Sequence, residues 1–158
     1  MSEIARRIRT LEELGWVAAL GKTTLYPLQP KIIIGTATCG EAAGAREVLD
    51  AVQQEVAKLG LPYLVAETGC IGWCCQEPLL DVWLPGRGRV TYGRVKPGRA
   101  RQIVRGIASD DLKLEWALAW MPGDDNVLTG CPTDYGQRNG HFPGVPEYAH
   151  LTMFRQQM

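Results

Sequence analysis

The chain of 158 residues carries 17 Lys and Arg side chains against 17 Asp and Glu, so its formal net charge is zero. Nucleic-acid binding needs a surplus of basic side chains, and this balance argues against that class of function. The sequence contains no apolar run of the roughly 18 residues that a membrane span requires, and its N-terminus lacks the layout of a signal peptide. We therefore expect a cytoplasmic protein.

The N-terminal segment is predicted to hold one short helix. Ile4, Ile8 and Leu11 are spaced three to four residues apart, which predicts an amphipathic helix over residues 3–14. The stretch over residues 15–30 contains glycine and proline and is interpreted as a connector.

A strand and a long helix are predicted next. Residues 31–34 form a short, apolar, β-branched run that is typical of a buried strand. Thr38 and Glu41 have the spacing of a capping box, which predicts that a helix begins there. Apolar residues then recur at helical spacing up to Gly60, namely Val48, Leu49, Val52, Val56 and Leu59. We expect one helix over residues 39–59, with Val52 facing a sheet that contains Ile32 and Ile34.

Three further strands and a helix complete the pattern. The strands are predicted over residues 63–66, 79–84 and 90–92, and the turn at residues 85–88 predicts a hairpin between the last two. A helix follows Pro97, with Ile103, Val104 and Ile107 on one face. This order, β-α-β and then β-β-α, predicts an α/β protein with a thioredoxin-like fold.

The C-terminal part shows little periodicity. Residues 112–120 are apolar and fit either a helix or a strand, and residues 122–147 are rich in Gly, Pro, Asp and Asn. Aromatic residues are scattered through this extension and are interpreted as anchors for a partner, namely Trp116, Trp120, Tyr135, Phe142, Tyr148 and Phe154. We expect an N-terminal helix and connector over residues 1–29, a domain over residues 30–108, and an irregular, partner-binding extension over residues 109–158.

The five cysteines argue against a disulfide framework, because their number is odd and Cys74 and Cys75 are adjacent. In a reducing compartment such cysteines are more often metal ligands, reactive thiols or core residues. Cys39 falls in the first turn of a predicted helix, where a thiolate is stabilised. That position fits a metal ligand, and equally a buried structural thiol. The residue three positions after Cys39 is Ala42, so the Cys-x-x-Cys pattern of disulfide exchange is missing at this site.

Cys70 and Cys74 give a more specific signal. They are four residues apart in a predicted loop between strands, where both sulfurs can point at one small site. Gly69 and Gly72 permit tight turns and a close approach of backbone amides to a cofactor. Cys75 is interpreted as incidental, since adjacent side chains usually diverge.

The remaining candidate ligands lie in the C-terminal extension. Cys131 is interpreted as a free or buried thiol. His141 and His150 stand alone, without a second ligand at a spacing that favours zinc.

Three motifs together resemble the thioredoxin-like [2Fe–2S] ferredoxin family. They are GTATCGEAAGA at residues 35–45, TGCIGWCCQEPLLDV at residues 68–82 and YGRVKP at residues 92–97. The resemblance extends over roughly residues 30–107. Members of the family include the 24-kDa-type subunit of complex I and the N-terminal domain of NADH- and flavin-binding subunits of NAD-linked hydrogenases and formate dehydrogenases.

The resemblance implies that the chain transfers electrons through a [2Fe–2S] cluster, next to a flavin- and NADH-binding subunit. The family uses four cysteines, and Cys39, Cys70 and Cys74 match three of them. The position of the remaining cysteine is occupied by Ile34, which cannot bind iron. The alternative is a docking subunit without a cluster, and a thiol enzyme using Cys39 is a third hypothesis. Residues 146–158 resemble the linker before the flavin-binding domain of fused members, which implies a fragment or the product of a split gene.

Overall fold

The computed structural model describes residues 7–25, 27–121, 125–126, 131–132, 142–148 and 151. Four helices and seven strands form this part of the chain. The helices are α1 (Leu11–Leu25), α2 (Thr38–Ala42), α3 (Ala45–Leu59) and α4 (Pro97–Ala108), with short 3-10 turns at Cys74–Gln76 and Leu114–Trp116. The strands are β1 (Lys31–Gly35), β2 (Leu64–Thr68), β3 (Leu80–Leu84), β4 (Gly88–Tyr92), β5 (Ala117–Met121), β6 (Asp125–Asn126) and β7 (Cys131–Pro132).

The main sheet has the strand order β2-β1-β3-β4-β5. Strand β1 runs parallel to β2, with Ile32 opposite Val65, and antiparallel to β3. Strands β3 and β4 form the predicted hairpin, in which Leu80 pairs with Tyr92. The predicted thioredoxin-like order of elements is therefore confirmed.

The core lies between the sheet and helices α3 and α4. Val52 has no exposed surface and clusters with Ile32 and Ile34 of β1, as the helical spacing predicts. Helix α4 contributes Ile103 and Val104 to the same cluster. The predicted orientation of α3 is confirmed.

The N-terminal helix begins and ends later than predicted. Its N-terminus is a capping box at Thr10 and Glu13, in which the Glu13 N–H donates to Thr10 Oγ1 (3.1 Å) and the Thr10 N–H donates to Glu13 Oε2 (3.2 Å). From Leu11 the helix continues through Gly15 as far as Leu25, where a connector is predicted. Residues 1–6, where the predicted periodicity begins, lie outside the described residues. No helix in the described ranges is long and apolar enough to cross a membrane.

The helix predicted over residues 39–59 is two helices. Gly44 adopts a left-handed conformation (φ 96°) that favours glycine, and it separates α2 from α3. The predicted capping box is wrong, because Ala37 is the N-cap of α2 and makes no side-chain cap. Instead, Glu41 Oε1 accepts hydrogen bonds of 2.9 and 2.6 Å from Arg46, whose guanidinium also binds Glu67 at 2.9 Å. This ion pair joins the α2–α3 junction to the end of β2.

Residues after 108 contribute to the same sheet and core. The apolar segment over residues 112–120 fits either a helix or a strand by its sequence. In the structure it contains a 3-10 turn and then enters strand β5, which pairs with β4. Trp120, Phe142 and Tyr148 are at most 8% exposed, and the Trp120 and Phe142 rings lie 5.7 Å apart. The interpretation of these three aromatics as partner anchors is therefore wrong, because they fill the core of this chain. Tyr135 and Phe154 lie outside the described residues.

An ion pair between the exposed Arg105 and the buried Glu55 joins the two helices that cover the sheet. Arg105 Nε of α4 donates to Glu55 Oε1 of α3 at 2.7 Å, and Glu55 is only 3% exposed. The hydrogen bond from Arg105 is the main reason that the pKa of Glu55 lies below its ordinary value of 4.5. A carboxyl with a depressed pKa in the folded state stabilises the fold above its unfolded pKa and loses that contribution as the pH falls.

Glu55→Gln should therefore lower the free energy of unfolding most at neutral pH. The difference between the wild-type chain and the variant should shrink as the pH falls below about 4.5 and through the folded pKa, because protonated Glu55 is as neutral as glutamine. Urea unfolding across a pH series measures this difference. Asp50→Asn, at an exposed position of α3, is the control. A difference that stays constant with pH would refute the assigned role of the pair.

Candidate functional site

Two loops that carry cysteines lie side by side at one edge of the sheet. Strands β1 and β2 are parallel neighbours, so their carboxyl ends meet at the same edge. Cys39 follows β1 as the second residue of α2, and Cys70 follows β2. The Thr36 N–H donates to the Thr68 carbonyl oxygen at 3.1 Å, which joins the two loops.

Cys70 and Cys74 form a close pair of thiols. Their sulfur atoms lie 3.5 Å apart, and both residues are exposed. The Gly72 N–H donates to Cys70 Sγ at 3.2 Å, and Gly72 has a φ of 86°, a conformation that favours glycine. A Cβ atom on Gly69 would meet nothing within 4 Å, so the surrounding packing does not demand glycine there. The loop therefore places two thiols and one amide donor at a single point.

Cys39 does not belong to this close pair. It is exposed on α2, and the described residues contain no group of three His, Cys, Asp or Glu side chains placed to hold a metal ion. Cys75 is also exposed, while the side chain of Cys131 lies outside the described part of the chain. The structure thus brings two of the three predicted ligands together and places the third in helix α2, which follows the neighbouring strand β1.

The position of the missing fourth cysteine is part of the core. Ile34 has no exposed surface and lies opposite Leu80 in the sheet. In their donor chemistry the three thiols fit an iron–sulfur cluster, because soft thiolates are its usual ligands. Among the described residues, only Cys70 and Cys74 are placed as a pair of possible ligands, and Ile34 cannot serve as one.

A buried carboxylate lies beneath the Cys39 loop. Glu77 is 8% exposed, and its Oε2 accepts a hydrogen bond from the Leu79 N–H at 2.8 Å. Its carboxylate lies 3.2 Å from the position that a Cβ of Gly35 would occupy. A Cβ of Gly40 would lie 2.1 Å from the Gly35 carbonyl oxygen, so the backbone passes too closely here for any side chain. Glu77 was not predicted from the sequence, where the only signal is a charged residue between the cysteine turn and an apolar strand.

The segment of the third motif holds the cysteine turn in place. The Arg94 N–H donates to the Gln76 carbonyl oxygen at 2.7 Å, and Arg94 Nε donates to the Cys75 carbonyl oxygen at 3.4 Å. A Cβ on Gly93 would lie 3.1 Å from the same Gln76 oxygen. The residues after β4 therefore pack against the turn that carries Cys74.

Sequence comparison relates the chain to a hydrogenase subunit. No sequence-family model matches it. It is 39% identical over 74 residues to the NADP-reducing hydrogenase subunit HndB of Solidesulfovibrio fructosivorans, and this match covers 46% of the chain. The chain spans 59% of the length of that subunit.

Structure comparison relates the chain to a ferredoxin. A thioredoxin-like [2Fe–2S] ferredoxin from Aquifex aeolicus superposes with a TM-score of 0.51 and 20% sequence identity, which covers 58% of this chain and 92% of the ferredoxin. A crystal structure of the wild-type ferredoxin from the same organism gives a TM-score of 0.49 and 21% identity, with 56% and 95% covered. At 20% identity, the likeness to the first of these structures concerns the fold alone. The chain therefore has the fold of the thioredoxin-like [2Fe–2S] ferredoxins, and the fold that the resemblance implies is confirmed.

Proposed function

We propose that the chain is an electron-transfer subunit of a multi-subunit, hydrogenase-type redox complex, in which Cys39, Cys70 and Cys74 hold a [2Fe–2S] cluster. The observation that carries this proposal is the Cys70–Cys74 pair with its amide donor from Gly72. When bound, such a cluster accepts and releases one electron at a time.

The spacing of the paired thiols suits two ligands of one metal ion. Two thiolates held tetrahedrally at bond lengths of about 2.3 Å lie roughly 3.7 Å apart. The sulfur atoms of Cys70 and Cys74 are 3.5 Å apart, close to that separation. The Gly72 N–H donates to one of these sulfurs, and hydrogen bonds to the sulfurs are one means by which a protein tunes the potential of a cluster.

Cys39 would supply its thiolate from helix α2, which follows the turn after β1. The hydrogen bond between Thr36 and Thr68 holds this turn next to the loop that carries Cys70, and the ion pair between Arg46 and Glu67 ties the α2–α3 junction to β2. These contacts fix the backbone on both sides of the site. A fixed backbone favours electron transfer because the ligands then change little between the two oxidation states.

The surface of α1 supports a place in a larger complex. None of the residues of this helix is buried. Leu11, Trp16 and Leu25 are each at least half exposed, and exposed apolar surface of this kind marks interaction sites. We propose that a flavin- and NADH-binding subunit is the partner. HndB, the relative in the sequence comparison, is itself named as a hydrogenase subunit.

A redox titration tests whether the chain carries electrons. Anaerobically reconstituted full-length chain should take up about one electron per chain and release it again on reoxidation. Addition of NADH alone should not reduce it, whereas NADH with the co-expressed flavin-binding subunit should. A reconstituted chain that takes up no electron, or does not release it, would contradict the proposal.

A docking subunit without a cluster is the second candidate function. The complete burial of Ile34 and the absence of a three-ligand group among the described residues favour it. The redox titration distinguishes the two candidate functions. A clusterless docking subunit would co-purify with the flavin-binding subunit, yet it would remain colourless and take up no electron after reconstitution.

A further inference from the structure

The Cys70–Cys74 pair has a second chemistry that does not need iron. The two sulfur atoms lie 3.5 Å apart, and a disulfide bond is about 2.05 Å long. Closing the bond therefore requires the sulfurs to approach by roughly 1.5 Å. The residues between them are in a loop, and Gly72 there occupies a conformation that few other residues adopt.

Among the described thiols, the geometry selects this pair. Cys39, Cys70, Cys74 and Cys75 are all exposed, so all four are open to a reagent from solvent. Among the described residues, a contact between sulfurs is found for Cys70 and Cys74. An intramolecular disulfide that preserves the loop would therefore have to join Cys70 to Cys74.

We propose that, in the metal-free chain, Cys70 and Cys74 form a reversible disulfide by exchange with the disulfide of a small thiol such as glutathione. One protein sulfur attacks the small disulfide, which forms a mixed disulfide and releases one small thiol. The second protein sulfur then attacks the first, which closes the Cys70–Cys74 bond and releases the second small thiol. Two cysteine thiols are oxidised, one small disulfide is reduced, and the two cysteine protons end on the released thiols.

This dithiol–disulfide couple of Cys70 and Cys74 exists in the metal-free chain whether or not the proposed function holds. If that function does hold, the disulfide withholds two cluster ligands at once, so cluster loading requires prior reduction. The redox-active pair of this chain then lies in the β2–β3 loop. It does not lie at Cys39, because no second cysteine follows three residues later.

Thiol counting on the metal-free, full-length chain tests the proposal. The chain is incubated with oxidised glutathione, quenched with acid, alkylated and weighed by mass spectrometry. Two thiols should become protected, the chain should lose two hydrogens without gaining glutathione, and dithiothreitol should restore both thiols. Cys70→Ser and Cys74→Ser should each stop at a glutathione adduct, and circular dichroism confirms that they fold.

Cys75→Ser and Cys39→Ser are the matched controls, and both should form the disulfide like the wild-type chain. If Cys75→Ser or Cys39→Ser abolishes the disulfide, the pairing is wrong. If the wild-type chain gives only glutathione adducts, the couple does not exist. Because this experiment contains no iron, its failure is distinct from a failure of the electron-transfer proposal.

Discussion

Val52→Asp is expected to lower the free energy of unfolding by about 3 to 5 kcal/mol, the cost of leaving an unpaired charge in a core. Val52 has no exposed surface, and it clusters with Ile32 and Ile34 of β1. Since a domain of this size is stable by about 5 to 15 kcal/mol, the loss is a large part of the total.

Urea unfolding followed by circular dichroism measures this effect. Gln53→Asp is the matched control, because it places the same charge on the neighbouring, exposed position of α3. It should change the free energy of unfolding by no more than about 0.5 kcal/mol. Equal losses for the two variants would show that α3 does not present Val52 to the sheet.

Cys70→Ser and Cys74→Ser should each reduce the iron bound after reconstitution to below about a tenth of the wild-type value, since even groups outside the ligand set change metal affinity 10–100-fold. Serine removes the thiolate from a pair whose sulfurs lie 3.5 Å apart. Cys39→Ser should act in the same direction, because it removes the thiol of helix α2. Iron analysis of the desalted proteins, with visible absorption spectra, provides the measurement.

Cys131→Ser is the control for these ligand variants and should keep its iron. Loss of iron from Cys131→Ser alone, with iron kept by the other three variants, would show that the ligands are assigned wrongly. Cys75→Ser asks a separate question, since Cys75 is exposed next to Cys74 and is the nearest spare thiol for the fourth position. Unfolding curves of each variant separate a lost ligand from a lost fold.

The order of strands and helices could be predicted because each element has its own local spacing of apolar residues. The β-branched run before Gly35 and the helical spacing around Val52 each arise from one segment burying one face. Helix ends were harder, since Thr10 and Thr38 both precede a glutamate at capping spacing and only Thr10 forms the cap. At the second position Glu41 pairs with Arg46, a competitor that the capping motif does not contain.

The candidate site was predictable only where its residues are close in sequence. Cys70, Gly72 and Cys74 belong to one loop, so their spacing already indicates a shared site. The burial of Glu77 against Gly35 depends on another segment folding onto it. The burial of Phe142 could not be predicted for the same reason. Phe142 reaches the core from a segment distant in sequence, and composition alone does not distinguish it from an exposed anchor.

The iron and acid-labile sulfide content of full-length chain purified without oxygen tests the central claim most directly. Cluster binding predicts about two irons and two sulfides per chain, together with a visible absorption band that bleaches on reduction. A colourless chain that contains neither iron nor sulfide, even after anaerobic reconstitution with both, would contradict the electron-transfer proposal and leave the clusterless docking subunit.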